Sequence, residues 1–501
     1  MTKLIYLAFL LFITNVLIAQ PVIKEFQTLN VDKEYRFVNF IDADETGFYI
    51  STVHKTARPF TYFVEKRNKN TGDLIFEIKL EHKPCYSICT NNKIIVVYSE
   101  LNNENDSRKL SCSIFSSVDG IKIKDKEIEE IGGQKLGPYK NDYLIIASPD
   151  KSKLLMIPNH NDLGFPNPKA EQKSMKMYNS TTMELIWELK VDLSLSSDAV
   201  IDNIGNILCP YKSYIRVVRF KSDKERDINV SLKLPQRLTT AIIGFTKDGQ
   251  ATATGMFTET IEEINEKGEV KLISGKAGFY YTNINISELK LEKERIEYFT
   301  PEIEQKLSWQ DKGRFVNKNP GDKEYKALKM FSQNGEVYFI AEHRLQKEWN
   351  YSYNEEGDVE NNKSNFLYEH KEIIITKFSQ SGHIEWTRIL PKETVGALGG
   401  LQCIFINDKI CFVFLDEKSN TQKFTLDNYE AGKLKPLTAL SNSNALCITI
   451  DKNGNAKRNV LFFYSSYFLL PKSRDVIVDN KTLLIYLGFK TSDKIGTLTF
   501  D

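Results

Sequence analysis

The 501-residue chain sets 67 Lys and Arg against 66 Asp and Glu, so it carries no field that would draw a polyanion, and nucleic acid is not an expected partner. Its seven cysteines are few and scattered, which excludes a disulfide-stapled scaffold. No Ser/Pro/Gly-rich tract or low-complexity segment interrupts it, so separate domains on linkers are not expected.

The first twenty-one residues read MTKLIYLAFLLFITNVLIAQP. Lys3 precedes an apolar run from Leu4 to Ile18, and Ala19, Gln20 and Pro21 follow. A short positive start, a brief apolar core and a small residue before a polar one describe a secretory signal, residues 1–19, cleaved between Ala19 and Gln20. The run falls short of the ~20 apolar residues that span a bilayer, so no membrane span is expected in the mature form. The first cysteine is Cys85, which leaves nothing at the boundary to carry a lipid. The expected location is secreted or periplasmic.

Two units then alternate. One couples an Asp/Asn/Gly/Lys turn to an apolar, β-rich run: IDADETGFYIST (41–52), CTNNKIIVVYSE (89–100), ASPDKSKLLMIP (147–158), IDNIGNILCPYK (201–212), FTKDGQATATGM (245–256), FSQNGEVYFIAE (331–342), INDKICFVFLDE (406–417) and VDNKTLLIYLGF (478–489). Such turns join hairpin strands. Nearly continuous apolar runs suit inner strands covered on both faces. The other unit is NTGDLIFEIKL (70–80), TTMELIWELKV (181–191) and QSGHIEWTRIL (380–390), with looser copies at 116–128, 264–273 and 450–462. In its three clear copies an aromatic follows Gly72, Met183 or Gly382 by four residues. Strand side chains four apart share a face, so Phe76, Trp187 and Trp386 should fill one equivalent slot between neighbouring repeats.

Alternating hairpins whose starts lie 44 to 86 residues apart predict an all-β chain: a β-propeller of seven four-stranded blades, with eight as the other count. It forms a single domain over 20–501, with long insertions at about 300–325 and 343–370. The segment VIKEFQTLN (22–30) is expected to complete the blade that holds 478–501, so that the N- and C-terminal strands close the ring and leave no open edge. Stacked β-sandwiches are the competing architecture.

Where NTGDLIFEIKL and QSGHIEWTRIL carry a Gly-led turn before an aromatic, the pattern resembles the tryptophan-docking repeat of quinoprotein-type propellers. The Ala-x-Asp usual before that turn is absent, so the resemblance implies blade packing and not quinone binding. Over about 278–490, GEVYFIAEHR, a Tyr-rich insertion, EIIITKFSQSGHIEWTRILPKE and INDKICFVFLDEKSN follow in an order similar to that of uncharacterised exported proteins common in Bacteroidetes. That resemblance implies export and a propeller-like fold, and brings no catalytic assignment. FLDEKSN stands where those proteins carry an Asn-Asp pair, which argues against an ion at this turn.

No catalytic motif, metal cluster or phosphate loop is present, and no cofactor is expected. The six histidines include no pair at a metal-ligand spacing; His343 and His370 bracket the second insertion and meet only if its ends form a hairpin. DKNGN (451–455) lacks the later Glu of a calcium loop and reads as a tight turn. Cys403 and Cys411 flank the turn INDK, either as a cross-hairpin disulfide or as two buried thiols. The candidate binding residues lie in the insertions. Trp349, Tyr351 and Tyr353 alternate, so an extended arm would put three aromatics on one face, and Trp309 lies in the other insertion. Together they could stack on sugar rings or anchor a protein partner; otherwise they cover an adjacent blade edge.

The function expected is that of an exported, monomeric β-propeller serving as a binding or scaffolding module for a protein or glycan partner. A glycan-active hydrolase or lyase on the same scaffold, and a structural partner in envelope assembly, are the alternatives.

Overall fold

In the computed structural model, which describes residues 35–54, 59–102, 107–131, 143–158, 173–191, 199–211, 213–219, 230–234, 238–245, 250–264, 270–307, 325–349, 365–395, 398, 400–429, 433–463, 468–469, 475–478, 481–488 and 494–500, the strands form eight antiparallel sheets. Seven are up-and-down meanders in chain order, spanning 35–80, 84–131, 143–191, 200–233, 238–298, 325–390 and 401–463. In the eighth, Thr482–Gly488 pairs with Lys494–Thr499 on one edge. Phe468–Leu469 and Ile477–Val478 share its other edge. The fourth rank expected from residues 22–30 lies outside the described residues.

The apolar clusters show how these sheets are arranged. Each cluster joins two consecutive sheets, from Ile41, Val64 and Ile94 between the first and second to Cys411, Val413 and Leu483 between the seventh and eighth. The last joins Phe40, Phe48 and Ile50 of the first sheet to Val478, Leu484 and Tyr486 of the eighth. Eight sheets with eight interfaces leave no sheet face unpartnered, and a row of sandwiches could not do this. The molecule is an eight-bladed β-propeller with a closed ring. Eight is the higher of the two counts the sequence allowed.

Both repeated units map onto this frame. The first is the inner hairpin of each blade. Its two-residue turns Asn91-Asn92, Asn334-Gly335 and Asn407-Asp408 have positive φ at both positions, as the hairpin twist requires. The runs that follow, such as Ile94–Val97 and Val337–Ala341, are buried on both faces. The second unit is the outer hairpin, and its aromatic docks on the next blade; the looser copy at 264–273 is the exception, falling at the tip between the second and third strands of blade 5. A methyl at Gly454, whose φ is +81°, would lie 2.9 Å from the Trp386 ring. One at Gly120, φ +75°, would lie 2.8 Å from Phe76. Glycine is therefore required there by both backbone and space. The Trp386 indole N–H also donates to the Lys452 carbonyl at 2.9 Å. The turn at 451–455 is thus a docking surface, held by Asp451 Oδ1 accepting from the Asn453 and Asn455 amides.

Cys403 and Cys411 do not face each other. Cys403 pairs with Phe412 and Ile404 with Cys411, so the two thiols leave opposite faces of the hairpin: Cys403 toward blade 6 and Cys411 toward blade 8. Among the described residues, no helix is long and apolar enough to cross a membrane.

Candidate functional site

Because strands alternate in direction, the turns within inner and outer hairpins all lie on one face of the ring, here called the lower face. The second-to-third connections and the links between blades lie on the opposite, upper face. Much of the lower face is occupied by docking contacts between blades. Lys66 and Tyr49 both donate to the Ser117 carbonyl in the next blade's outer turn, at 2.9 and 3.0 Å. Lys377 and Trp386 repeat the arrangement on the Lys452 carbonyl.

The upper face is where the blades differ. The second and third strands of blade 4 are only Ile207–Pro210 and Tyr214–Val218. Those of blade 5 are Ala251–Ile264 and Val270–Asn285, paired out to Ile264 opposite Val270. Those of blade 6 are Glu336–Trp349 and Asn365–Phe378, paired out to Trp349 opposite Asn365. Two adjacent blades thus carry elongated hairpins. The 343–370 insertion begins as a continuation of the sheet, and Trp349 is the last residue of its rising strand. Tyr351, Tyr353 and Trp309 lie outside the described residues.

His343 and His370 lie on the paired strands of this hairpin but turn to opposite faces, and each serves a different carboxylate. The register shift between Glu342 and Arg344 sets Arg344 opposite His370. Toward blade 7, the fully buried Glu342 receives Lys392 Nζ at 2.5 Å, Arg344 Nε at 2.6 Å and His370 Nδ1 at 3.1 Å. Burial alone would raise the Glu342 pKa; the Lys392 ammonium, with His370 and Arg344, outweighs it and holds the carboxyl well below the usual range. Toward blade 5, Glu372 accepts from the Tyr325 hydroxyl at 2.5 Å and stands 3.3 Å from His343 Nδ1. The Tyr325 and His343 rings stack with centroids 4.9 Å apart. Among the described residues, no group of three His, Cys, Asp or Glu side chains is placed to hold a metal.

A second element crosses this region. After Lys409–Glu417, the second strand of blade 7, the chain forms a short helix, Lys418–Lys423, and then runs across blade 6. Tyr429 enters the cluster between blades 5 and 6, with Phe424 and Leu434 packed against it. Asn420 fixes this strap, giving its amide nitrogen to Asp416 Oδ1 and the Lys435 carbonyl, both at 2.9 Å, and accepting from the Lys435 amide at 2.8 Å. Burial raises Asp416 to about 6, opposed by its hydrogen bonds from Asn420 and the Glu417 amide and by Arg458. Around these charges, Thr394 Oγ1, Asn444 Oδ1 and the Tyr429 hydroxyl are buried without a hydrogen-bond partner in the described structure.

Sequence reasoning selected the aromatics of the insertions and passed over Glu342, Lys392 and Asp416. The signal was present: each is a charge at or just past the end of a buried apolar run, in FIAE, ILPK and FLDE.

No family model and no curated protein matches the chain. Among solved structures, it is similar to the β-propeller domain of the Trilobed protease from Pyrococcus furiosus, described as having an open velcro topology, at 10% identity and a TM-score of 0.36, covering 86% of this chain and 97% of that one. A europium-containing methanol dehydrogenase gives 11% identity and a TM-score of 0.35, with 93% and 87% covered. The acylaminoacyl peptidase of Pyrococcus horikoshii gives 10% and 0.35, with 91% and 59% covered. Likeness at this level carries no functional argument, and the fold stands on the strand pairing and the eight interfaces.

Proposed function

We propose that the protein is an exported β-propeller that works as a binding or scaffolding module and engages a protein or glycan partner through the upper face of blades 5 to 7. One observation carries this reading. Two neighbouring hairpins are drawn out on that face, and the blade 6 hairpin is rooted in a buried ion network that fixes its direction. An arm held rigid at its base presents a partner with a surface whose ordering cost is already met by the fold. Sequence supplies the expectation of aromatics along this arm, at Trp349, Tyr351 and Tyr353.

A glycan-cleaving site is less well supported. Hydrolysis of that kind needs two carboxylates facing each other across the sugar. Glu342 and Glu372 leave opposite faces of one strand pair, and each is occupied by cations or hydroxyls. Export is supported by the Lys3, Leu4–Ile18, Ala19 pattern.

The test is capture from envelope extract, run beside a glycan array, with mature wild-type protein and a variant in which 350–364 is replaced by a two-residue turn. Partners held by the wild type and lost by an equally stable variant support the reading. Partners retained in full by the variant would move the contact surface elsewhere.

A further inference from the structure

All seven cysteines are free thiols, and two of them touch. Cys411, on the second strand of blade 7, and Cys447, on its third strand, Ser443–Ile450, hold their Sγ atoms 3.3 Å apart. Cys411 pairs with Thr449 and Val413 with Cys447, so the cysteines are diagonal neighbours whose side chains leave the same face of the sheet. Both are fully buried against blade 8, beside Val413, Ala445 and Leu483. Cys403 faces the other way and cannot compete for either of them.

We propose that Cys411 and Cys447 are a disulfide-forming pair, closed during the folding of blade 7 by exchange with a disulfide-bearing oxidant. One cysteine thiolate attacks a sulfur of the oxidant's disulfide, releasing one thiol and leaving a mixed disulfide. The second thiolate then displaces the oxidant's remaining thiol. Two electrons pass from the pair to the oxidant, and the two protons shed by the cysteines end on its two thiols. Forming a bond of about 2.05 Å asks the sulfurs to approach by about 1.3 Å.

Burial dictates when this happens. In the finished fold, desolvation pushes the Cys411 thiol well above its usual pKa, with Cys447 contributing in the same direction. A buried thiol with little thiolate is inert. The bond therefore closes before blade 8 covers this face, and afterwards the fold seals it. The bridge would also tie together the strands at the two roots of the strap, since the loop from Cys411 to Cys447 contains Asp416, Asn420 and Tyr429.

The experiment counts thiols in the full chain produced in an oxidising compartment and in a reducing one. Each sample is denatured and alkylated at harvest, and its intact mass is measured before and after reduction. Of the seven cysteines, five should be blocked in the oxidised sample before reduction and seven after, with one linked peptide containing Cys411 and Cys447. The reduced sample, once folded, should keep Cys411 and Cys447 as free thiols during incubation with oxidised glutathione, even if the partly exposed Cys85 and Cys89 take up glutathione. The Cys447→Ser variant should give six blocked thiols with or without reduction. Seven blocked thiols from the oxidising compartment, or a link between any other cysteines, would overturn the pairing. A Cys411–Cys447 linked peptide from the folded reduced sample would overturn the sealed-fold timing.

Discussion

Asp416→Asn should stabilise the protein at neutral pH. The carboxyl is 4% exposed, and burial lifts its pKa from 3.8 to about 6. Between those values the folded chain holds a proton that the unfolded chain has released, so stability falls as pH rises through the window. Above pH 6 the full cost stands, and a shift of about two units is worth about 3 kcal/mol. The substitution keeps what the site uses. Both donors, the Glu417 amide at 2.8 Å and the Asn420 side chain at 2.9 Å, bond to Oδ1, which an asparagine also offers. Its new amide nitrogen replaces the other carboxylate oxygen on a residue directly opposite Asn444, whose Oδ1 is buried without a partner. The assay is denaturant unfolding of wild type and variant from pH 4 to pH 8. The variant should lead by up to about 3 kcal/mol at pH 7.5, with the gap closing as pH falls through 6. A variant less stable than wild type at pH 7.5 would refute the reasoning, because the ionised carboxylate would then be a net support for its neighbours Arg458 and Lys392.

Four further outcomes can be checked by unfolding. Trp386→Ala should cost about 3 kcal/mol, the low end for a large aromatic because the ring is half-buried. Gly454→Ala should cost about 1–3 kcal/mol at its positive φ; in the double variant the costs should sum to less than their total, because the missing ring makes room for the methyl, and strict additivity would refute the docking contact. Lys392→Met should cost up to about 3–5 kcal/mol at neutral pH, because it removes the fully buried cation of Glu342 and leaves only the half-buried Arg344 and His370, and adding Glu342→Gln should recover much of it. Glu342 is held ionised, so its support for the fold is present above the usual glutamate pKa and fades as pH falls through its lowered folded value; an unchanged Lys392→Met midpoint would sink this account. Deleting residues 22–30 should lower the melting temperature and promote association through the exposed edge of Lys494–Thr499. Unchanged melting with a clean monomer would dissociate that segment from ring closure.

The propeller was legible because its lower face is built from local rules repeated blade by blade. A hairpin turn needs only its own residues, and Asn334-Gly335 or Asn407-Asp408 announce themselves. Docking needs an aromatic four residues past a turn and a permissive residue in the next turn. Phe76 with Gly120, and Trp386 with Gly454, satisfy that with little help from elsewhere. The inner-hairpin unit occurs eight times in the sequence, once per blade. The outer unit is harder to read, being clear in only three copies. Blade 5 illustrates the loss: its outer turn carries Leu289 at positive φ, where the eye looks for glycine.

The upper face was hidden for the opposite reason. Its contacts depend on which blades are neighbours and on chain that crosses from one to another. Glu342 and Lys392 are fifty positions apart and meet because the second strand of blade 6 and the link leaving its fourth end on the same side. Tyr429 belongs to blade 7 by sequence, yet it packs between blades 5 and 6. No periodicity encodes that crossing. What the sequence does offer is a charge placed where an apolar run ends while the chain is still buried. Water does not solvate such a charge, so a partner must be supplied by another segment. Glu342 closing FIAE and Asp416 following FL each demand one, and Lys392 after LP is the cation that answers Glu342. In a propeller, where the ends of second strands and the blade-to-blade links share one face, two such charges imply that the face has buried depth before any contact is known. The alternation of Trp349, Tyr351 and Tyr353 singles out the insertion in the sequence, while the charges single out the base of the hairpin that leads into it.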